Sequence, residues 1–344
     1  IWPAEGRFVS EPFVLDGTRL AMAEMLRTGT TTFSDMYFFP EVTAQVAHDV
    51  GMRAQICFPL LDNPTVWGSG PEDYLRKGAD LIAQWQHDDY IMPAIGPHAP
   101  YTVSDQPLTA AVKLAEETGA ALQIHLHETA FEVDEAVKAT GKRPVARMAE
   151  LGVLGPNSQY VHMTQIDDSD LEHLARAGGH IVHCPESNLK LASGFCPVQK
   201  LIDSNINVTI GTDGAASNND LDLFGELKTA AMVAKVVAGD AAAVSAHTAL
   251  KMATINGARA LGRDHELGSL VLGKLADLIA VDLSDPFLQP VYDPASHLVY
   301  SNHGRAVSHS WIHGVPQVQD GRLTRIDVPD LMLRVSDWRN KILS

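Results

Sequence analysis

The sequence of 344 residues has little cysteine, few basic residues and no long apolar run. Its three cysteines, Cys57, Cys184 and Cys196, form no C-x-x-C pair, which argues against a disulfide framework and indicates a reducing compartment such as the cytoplasm. Against 42 Asp and Glu stand only 26 Lys and Arg, and the formal net charge of −16 disfavours nucleic acid or an anionic membrane as a partner. No segment approaches the roughly 20 apolar residues of a membrane span.

The chain also lacks a G-x-G-x-x-G turn, so a doubly wound dinucleotide-binding sheet is not favoured. Instead, seven apolar or β-branched segments alternate with helical segments. The predicted strands are Thr30–Phe39, Met52–Leu61, Ile91–Ile95, Ala121–Glu128, Ser158–Met163, His180–Cys184 and Asn207–Ile210. Strict alternation predicts a parallel sheet, and the even spacing predicts an α/β fold of the (β/α)₈ TIM-barrel type without its first strand.

The texture of the sequence changes after Leu221. Two alanine-rich helices are predicted at Leu221–Ala238 and Ala241–Leu261. The β-type pieces that follow are Gly268–Leu272, Asp277–Asp282 and His309–Ile312, with a D-G turn at Asp320–Gly321. We therefore predict a barrel over residues 1–262 and a small β-sandwich appendage with a tail over residues 263–344.

The segment A-L-Q-I-H-L-H-E, Ala121–Glu128, is central to the functional prediction. Alternation along a strand places His125 and His127 on one face and Glu128 on the other. Twist at the strand end still allows His125 and Glu128 to converge on one site. For an isolated H-x-H, an ordinary hydrogen-bonded role beside the core is the commoner one.

Three further strands end in chemically active residues: His98, His162 and Asp213. Histidine nitrogen and aspartate oxygen are ligands that Zn²⁺ and other first-row divalent ions bind, and Glu128 is placed to act as a general acid or base. Each residue alone also has a structural explanation, since His98 lies in a proline-rich loop and Asp213 precedes a glycine. Together, at the ends of successive strands, they predict a functional site.

These motifs resemble those of the amidohydrolase superfamily. The shared motifs are H-L-H-E, V-H and G-T-D-G at strand ends, followed by A-T-I-N-G-A-R-A-L-G (Ala253–Gly262) and G-S-L-V-L-G-K-L-A-D-L-I-A-V-D (Gly268–Asp282). Within the superfamily the chain is most similar to the bacterial methylthioadenosine/S-adenosylhomocysteine deaminases. That similarity is carried by W-P-A-E (Trp2–Glu5), F-S-D-M-Y-F (Phe33–Phe38), G-P-H-A-P-Y (Gly96–Tyr101) and G-T-D-G-A-A-S-N-N (Gly211–Asn219).

The resemblance implies one divalent metal ion, with Zn²⁺ expected, and makes His125 and Asp213 its ligands. It makes Glu128 the proton shuttle, while His162 polarises the hydrolytic water and Asp213 accepts that water's proton. It also implies two more ligands from an H-x-H at the end of the first barrel strand, which nothing before Glu5 supplies. We therefore expect one strand–helix unit upstream of Ile1, with H-x-H at the end of its strand.

On the substrate side, the resemblance implies that Glu5 holds the ribose hydroxyls and that His98 contacts the nucleoside. Relatives that take S-adenosylhomocysteine bind its carboxylate with arginines in a segment that here offers only Arg76, which favours methylthioadenosine or adenosine. The expected partner is thus a small nucleoside, and a homo-oligomer is left open. The alternatives are a guanine, cytosine, pterin or s-triazine hydrolase, or an inactive relative that binds a nucleoside.

Overall fold

The computed structural model describes residues 2–302 and 304–344 and contains two separate sheets. The larger sheet has seven strands in the order of the chain. They are β1 (Thr32–Met36), β2 (Arg53–Leu60), β3 (Ile91–Pro97), β4 (Ala121–Leu126), β5 (Ser158–His162), β6 (His180–His183) and β7 (Asn207–Ile210). Every neighbouring pair is parallel, so all seven strands and the predicted barrel-type fold are confirmed.

Helices separate these strands as the alternation requires. Those up to the end of the larger sheet are α1 (Trp2–Phe8), α2 (Glu11–Arg27), α3 (Pro40–Val50), α4 (Pro71–Trp85), α5 (Asp105–Thr118), α6 (Ala130–Thr140), α7 (Pro144–Glu150), α8 (Asp168–Ala177), α9 (Pro185–Lys190) and α10 (Val198–Asp203). Several of them end at a glycine in the left-handed conformation, for example Gly51 and Gly119, because glycine has no Cβ to oppose that geometry. Each helix can thus stop sharply and return the chain to the next strand.

The interior of the larger sheet is polar at one level. The side chains of Gln55 and Gln159 exchange two hydrogen bonds, of 2.8 and 2.9 Å. Ser34 donates to Gln123 (2.7 Å), Gln55 donates to Ser34 (2.9 Å), and Gln159 donates to the carbonyl of Ala260 (2.7 Å). Because buried amides are stable only when they are hydrogen-bonded, this network ties four strands into one arrangement.

The second sheet is antiparallel, with the order β11-β10-β9-β8. Its strands are β8 (Leu278–Val281), β9 (Val307–Ile312), β10 (Val315–Gln319) and β11 (Arg322–Leu323). The predicted D-G turn, Asp320–Gly321, joins its last two strands, and both residues have positive φ. The division between residues 1–262 and 263–344 stays a prediction.

A buried ion pair connects the two sheets. The guanidinium of Arg53, at the start of β2, donates to both carboxylate oxygens of Asp277, just before β8, at 2.9 and 3.2 Å. Asp277 also accepts from the backbone N–H of His313 at 2.7 Å. The Arg53 side chain has no exposed surface and that of Asp277 is 5% exposed, so neither charge is solvated by water.

Three features of the second half differ from the prediction. Ala241–Leu261 is not one helix, because a turn at Ala253–Thr254 separates α13 (Ala246–Met252) from α14 (Ile255–Ala260). Residues 268–272 are not a strand; they form an exposed connection. The remaining helices are α12 (Leu223–Ala238), which matches a predicted helix, and three without a sequence prediction, α11 (Ala215–Asn218), α15 (Pro294–Tyr300) and α16 (Val328–Leu343). None of the helices in the described part of the chain is both long and apolar enough to cross a bilayer.

Candidate active site

Four of the predicted site residues meet at one rim of the larger sheet. The ring centroids of His98 and His125 are 5.2 Å apart, and those of His125 and His162 are 5.6 Å apart. Oε2 of Glu128 lies 3.9 Å from Nε2 of His162. His98 follows β3, while His125 and His162 lie near the carboxyl ends of β4 and β5, which is the rim where barrel enzymes carry their chemistry.

The hydrogen bonds of His125 leave one ring nitrogen available. Its Nδ1 lies 2.7 Å from the backbone carbonyl of His98, and a carbonyl oxygen can only accept. Nδ1 therefore carries the proton, and in the neutral ring Nε2 keeps its lone pair. This arrangement, in which a backbone carbonyl fixes one nitrogen, is typical of histidines that bind a metal through the other.

His162 is buried and neutral. Its Nδ1 lies 2.9 Å from the side-chain oxygen of Asn188, which supports the ring from α9. Burial lowers the pKa of His162, and the nearby His125 lowers it further. His162 is thus a neutral imidazole at pH 7, with Nε2 facing Glu128.

Asp213 is held as a carboxylate by three hydrogen bonds. Ser187 and Ser217 donate to Oδ2 at 2.7 and 2.8 Å, and the N–H of Gly214 donates to Oδ1 at 2.7 Å. Burial opposes ionisation, but the electrostatic influence of the neighbouring His162 together with these three hydrogen bonds outweighs it and lowers the pKa of Asp213. The carboxylate therefore stays ionised and can act as a ligand or a proton acceptor.

The turn after β4 separates the two histidines of the H-x-H. The strand ends at Leu126, and His127 has a left-handed backbone with φ 53°. His127 points into the protein: its Nδ1 lies 2.8 Å from the carbonyl of Gln165, and its Nε2 accepts from the N–H of Val145 at 3.2 Å. Burial lowers the pKa of His127 to about 4. Both nitrogens are thus occupied, and His127 has a structural role.

The residues assigned to the substrate side have partners that the sequence did not indicate. Tyr37, just after β1, donates its hydroxyl hydrogen to Glu5 Oε1 at 2.7 Å. Nδ1 of His98 lies 3.0 Å from the hydroxyl of Thr102. Burial, with a smaller contribution from His125, lowers the pKa of His98 to about 4. Glu5 is therefore held at the carboxyl end of β1, on the rim that carries the histidines.

Sequence reasoning also missed most of the supporting side chains. Ser187 and Asn188 lie in the P-E-S-N segment after β6, and Ser193 donates to Glu128 Oε1 at 3.3 Å. A polar segment directly after a buried strand was the available signal for the first two. Nothing in the sequence pairs Ser193 with Glu128, because that contact bridges residues far apart in the chain.

The donors at this rim fit a divalent metal ion in type. Nε2 of His125 has a free lone pair, and Asp213 supplies carboxylate oxygen, as zinc sites do. Within residues 2–302 and 304–344, no group of three or more His, Cys, Asp or Glu side chains is arranged to hold a metal. The described residues therefore supply a part of a ligand set, since a catalytic zinc normally has at least three protein ligands.

Glu226 links α9 and α11, two short helices that carry side chains supporting the site. This α12 residue has no exposed surface. Its Oε1 accepts from Asn218 Nδ2 at 2.5 Å, and its Oε2 accepts from the N–H of Glu186 at 3.2 Å. Burial raises the pKa of Glu226 to about 8, against the opposing effect of the Glu186 N–H.

This raised pKa predicts a measurable pH dependence of stability. The folded state holds the proton of Glu226 up to about pH 8, whereas the ordinary pKa of a glutamate, as in the unfolded chain, is 4.5. The contribution of this group is therefore fully present below pH 4.5 and is lost as the pH rises towards 8, by up to about 1.4 kcal/mol per pH unit. Glu226→Gln should flatten the free energy of unfolding between pH 5 and pH 8 in urea titrations. Glu116→Gln, on the exposed surface of α5, is the matched control, and parallel curves for wild type and Glu226→Gln would refute the prediction.

A parallel barrel-type sheet with histidines, a glutamate and an aspartate gathered at one rim defines a barrel hydrolase. The chain belongs to the amidohydrolase family, whose sequence profile matches residues 5–316. The resemblance that the motifs indicated, and with it a hydrolase, is confirmed.

Individual relatives are similar along almost the whole chain. A 5-methylthioadenosine/S-adenosylhomocysteine deaminase of Saccharophagus degradans is 54% identical over 342 residues, which are 99% of this chain and 77% of the relative. A 5'-deoxyadenosine deaminase of Methanosarcina acetivorans is 41% identical over 95% of this chain and 75% of its own length. The crystal structure of a zinc-bound adenosine deaminase from Xanthomonas campestris superposes with a TM-score of 0.98 at 44% identity, covering 99% of this chain and 78% of that one.

Proposed function

We propose that this protein is a hydrolytic deaminase of 6-aminopurine nucleosides. The proposal rests on the grouping of His125, Glu128 and His162 at one rim, with the carboxylate of Asp213 near enough to His162 for the two to interact electrostatically. The names of the relatives, all deaminases of adenosine-type nucleosides, support it. The products are the corresponding inosine-type nucleoside and ammonia.

The site residues divide the proton transfers between them. His125 and Asp213 would hold a divalent metal, with Zn²⁺ expected, and a bound zinc supplies acidity to the water that attacks C6 of the adenine. Asp213 accepts a proton of that water, and His162 orients the water through Nε2. Glu128 protonates the ring nitrogen of the purine, so that negative charge does not accumulate there.

Glu5 and His98 are the proposed substrate contacts. A carboxylate accepts two hydrogen bonds from a vicinal diol, and Tyr37 occupies only Oε1 of Glu5. Burial keeps His98 neutral, so the ring can contact a nucleoside without adding charge. The proposed environment is a cytoplasmic one.

The segment after β2 offers no clamp for an amino-acid carboxylate. Arg76 lies on the exposed face of α4, where it pairs with Asp73 at 2.7 Å and Asp80 at 3.5 Å. Trp67 is buried and donates its indole N–H to Glu41. The arginine of this segment is thus already paired, and a carboxylate of bound S-adenosylhomocysteine left without a partner in a buried site would be unfavourable.

We expect methylthioadenosine and adenosine to be converted with higher kcat/KM than S-adenosylhomocysteine, in an ammonia-release assay on the natural full-length protein. Guanine, cytosine, a pterin and an s-triazine belong in the same panel, because they test the alternative substrates. Release from one of these, with none from adenosine, would replace the proposal. Release from no substrate by protein that binds nucleosides would indicate an inactive relative.

The same assay tests the ribose contact. Glu5→Ala should raise KM for nucleosides more than for free adenine, because only the nucleosides have hydroxyls for Glu5 to hold. Equal effects on both substrates would contradict that role while leaving the deaminase proposal in place.

A further inference from the structure

Glu132 lies next to Glu128, the proposed proton shuttle, and is hydrogen-bonded to its backbone. Its side chain is buried within the first turn of α6, and both carboxylate oxygens are used. Oε1 accepts from the N–H of His127 at 3.0 Å, and Oε2 accepts from the N–H of Glu128 at 2.8 Å. One carboxylate thus accepts hydrogen bonds from two consecutive backbone N–H groups directly after the end of β4.

This contact departs from ordinary helix capping. Thr129 is the N-cap of α6 and accepts from the N–H of Glu132 at 3.1 Å, as in a capping box. In a capping box the glutamate then returns to the N–H of the N-cap residue itself. The helix α8 has that arrangement, with Asp167 and Asp170 bonded to each other's N–H groups. In α6 the glutamate reaches past its N-cap to the two preceding residues.

The position is electrostatically unfavourable, which argues against a role in stability alone. In the described part of the chain, Glu132 forms no ion pair with Lys or Arg. Within these residues its carboxylate accepts only from the backbone N–H groups of His127 and Glu128, and its own N–H donates to Thr129. Burial, with a smaller contribution from the charge of Glu128, raises the pKa of Glu132 to about 7, although the N–H groups of Glu128 and His127 oppose the rise. A buried carboxylate beside a second carboxylate weakens the folded state. We therefore look for the contribution of Glu132 in the conformation of the turn at His127 and Glu128.

That turn determines where Glu128 points. Strand alternation alone would direct Glu128 away from His125, but β4 ends at Leu126 and the left-handed backbone at His127 breaks the alternation before Glu128. Glu132 fixes the N–H side of the Glu128 peptide, and Thr164 donates to the Glu128 carbonyl at 2.7 Å from the other side. With both ends of the residue fixed, its side chain reaches Ser193 and His162.

We propose that Glu132 is a positioning residue for Glu128, and that its two hydrogen bonds hold the turn that brings Glu128 to the reacting purine. The inference rests on the proposed function, because it assumes that Glu128 transfers the proton. Glu132 itself touches no substrate.

The test compares Glu132→Gln with Thr129→Ala in the natural full-length protein. A glutamine can satisfy only one of the two N–H groups, so we expect kcat to fall about 10²-fold, as for a displaced catalytic group, with KM little changed. Amide hydrogen exchange at His127 and Glu128 should become roughly tenfold faster. Thr129→Ala weakens the same helix start but leaves both bonds to Glu132, so kcat and exchange at these two amides should stay near wild type. Equal losses of kcat in the two variants, or wild-type kcat in Glu132→Gln, would overturn the proposal.

A measurement on the wild type decides the matter if Glu132→Gln does not fold. The N–H groups of Ala130 and Phe131, in the same turn, donate to no acceptor within the described residues. The Glu128 N–H should exchange more slowly than these two. Equal exchange rates would refute the hydrogen bond to Glu132 and with it the proposed positioning role. Failure of the proposed function is recognised separately, because the wild type would then release no ammonia from adenosine or methylthioadenosine. Failure of the shuttle role alone would show as an active Glu128→Gln, whatever Glu132 does.

Discussion

Glu128→Gln should lose about 10²–10⁴-fold in kcat, the usual contribution of one general acid or base. Glutamine has nearly the same size and can still accept from Ser193, so the geometry around His162 should persist. It cannot carry a proton to the ring nitrogen. Steady-state ammonia release with adenosine, measured beside zinc content and thermal unfolding, checks the expectation.

The metal content of the variants separates proton transfer from ligation. Glu128→Gln should keep its metal, because Glu128 is not assigned as a ligand. His125→Ala and Asp213→Ala should lose metal and activity together. A Glu128→Gln protein with wild-type turnover would remove the proposed shuttle, and one without metal would make Glu128 a ligand.

Asp277→Ala should lower the free energy of unfolding by about 3–5 kcal/mol, because it leaves the buried guanidinium of Arg53 unpaired. The same change removes the acceptor of the His313 N–H. Urea denaturation followed by circular dichroism gives the difference directly. Such a loss is a large part of the total stability of a typical domain.

Two further variants identify the origin of this loss. Replacing both partners, as Arg53→Met with Asp277→Leu, should recover much of it, since an apolar pair leaves no buried charge. The exposed pair of Arg76 and Asp73 is the matched control, and Arg76→Ala should change stability by less than about 1 kcal/mol. If Asp277→Ala were no more harmful than Arg76→Ala, the ion pair would not be what joins the two sheets.

The sequence predicts the larger sheet well because its signals are local. Each strand is a short apolar run followed by a polar residue, and His98, His162 and Asp213 each follow such a run. In parallel strands the carboxyl ends share one rim, so their grouping follows from the order of the elements. Residue spacing alone was sufficient for this part of the prediction.

The errors arise where contacts between distant segments decide the structure. His127 follows strand alternation on paper, yet its left-handed backbone and its bonds to Gln165 and Val145 turn it into the protein. The apolar residues 268–272 look like a strand, but they have no partner strand in the described residues. By contrast, α16 had a usable signal in the N-cap Asp327 and the proline that follows it.

The glutamine network inside the larger sheet has a consequence for how the protein can vary. Gln55, Gln123 and Gln159 are neutral, and they lie between the rim that carries His125 and the end that carries Arg53. Neutral amides that satisfy one another place no ionisable charge at this level of the sheet. Residues at the Arg53 end and residues at the rim can therefore change separately as long as the glutamine network between them is kept intact.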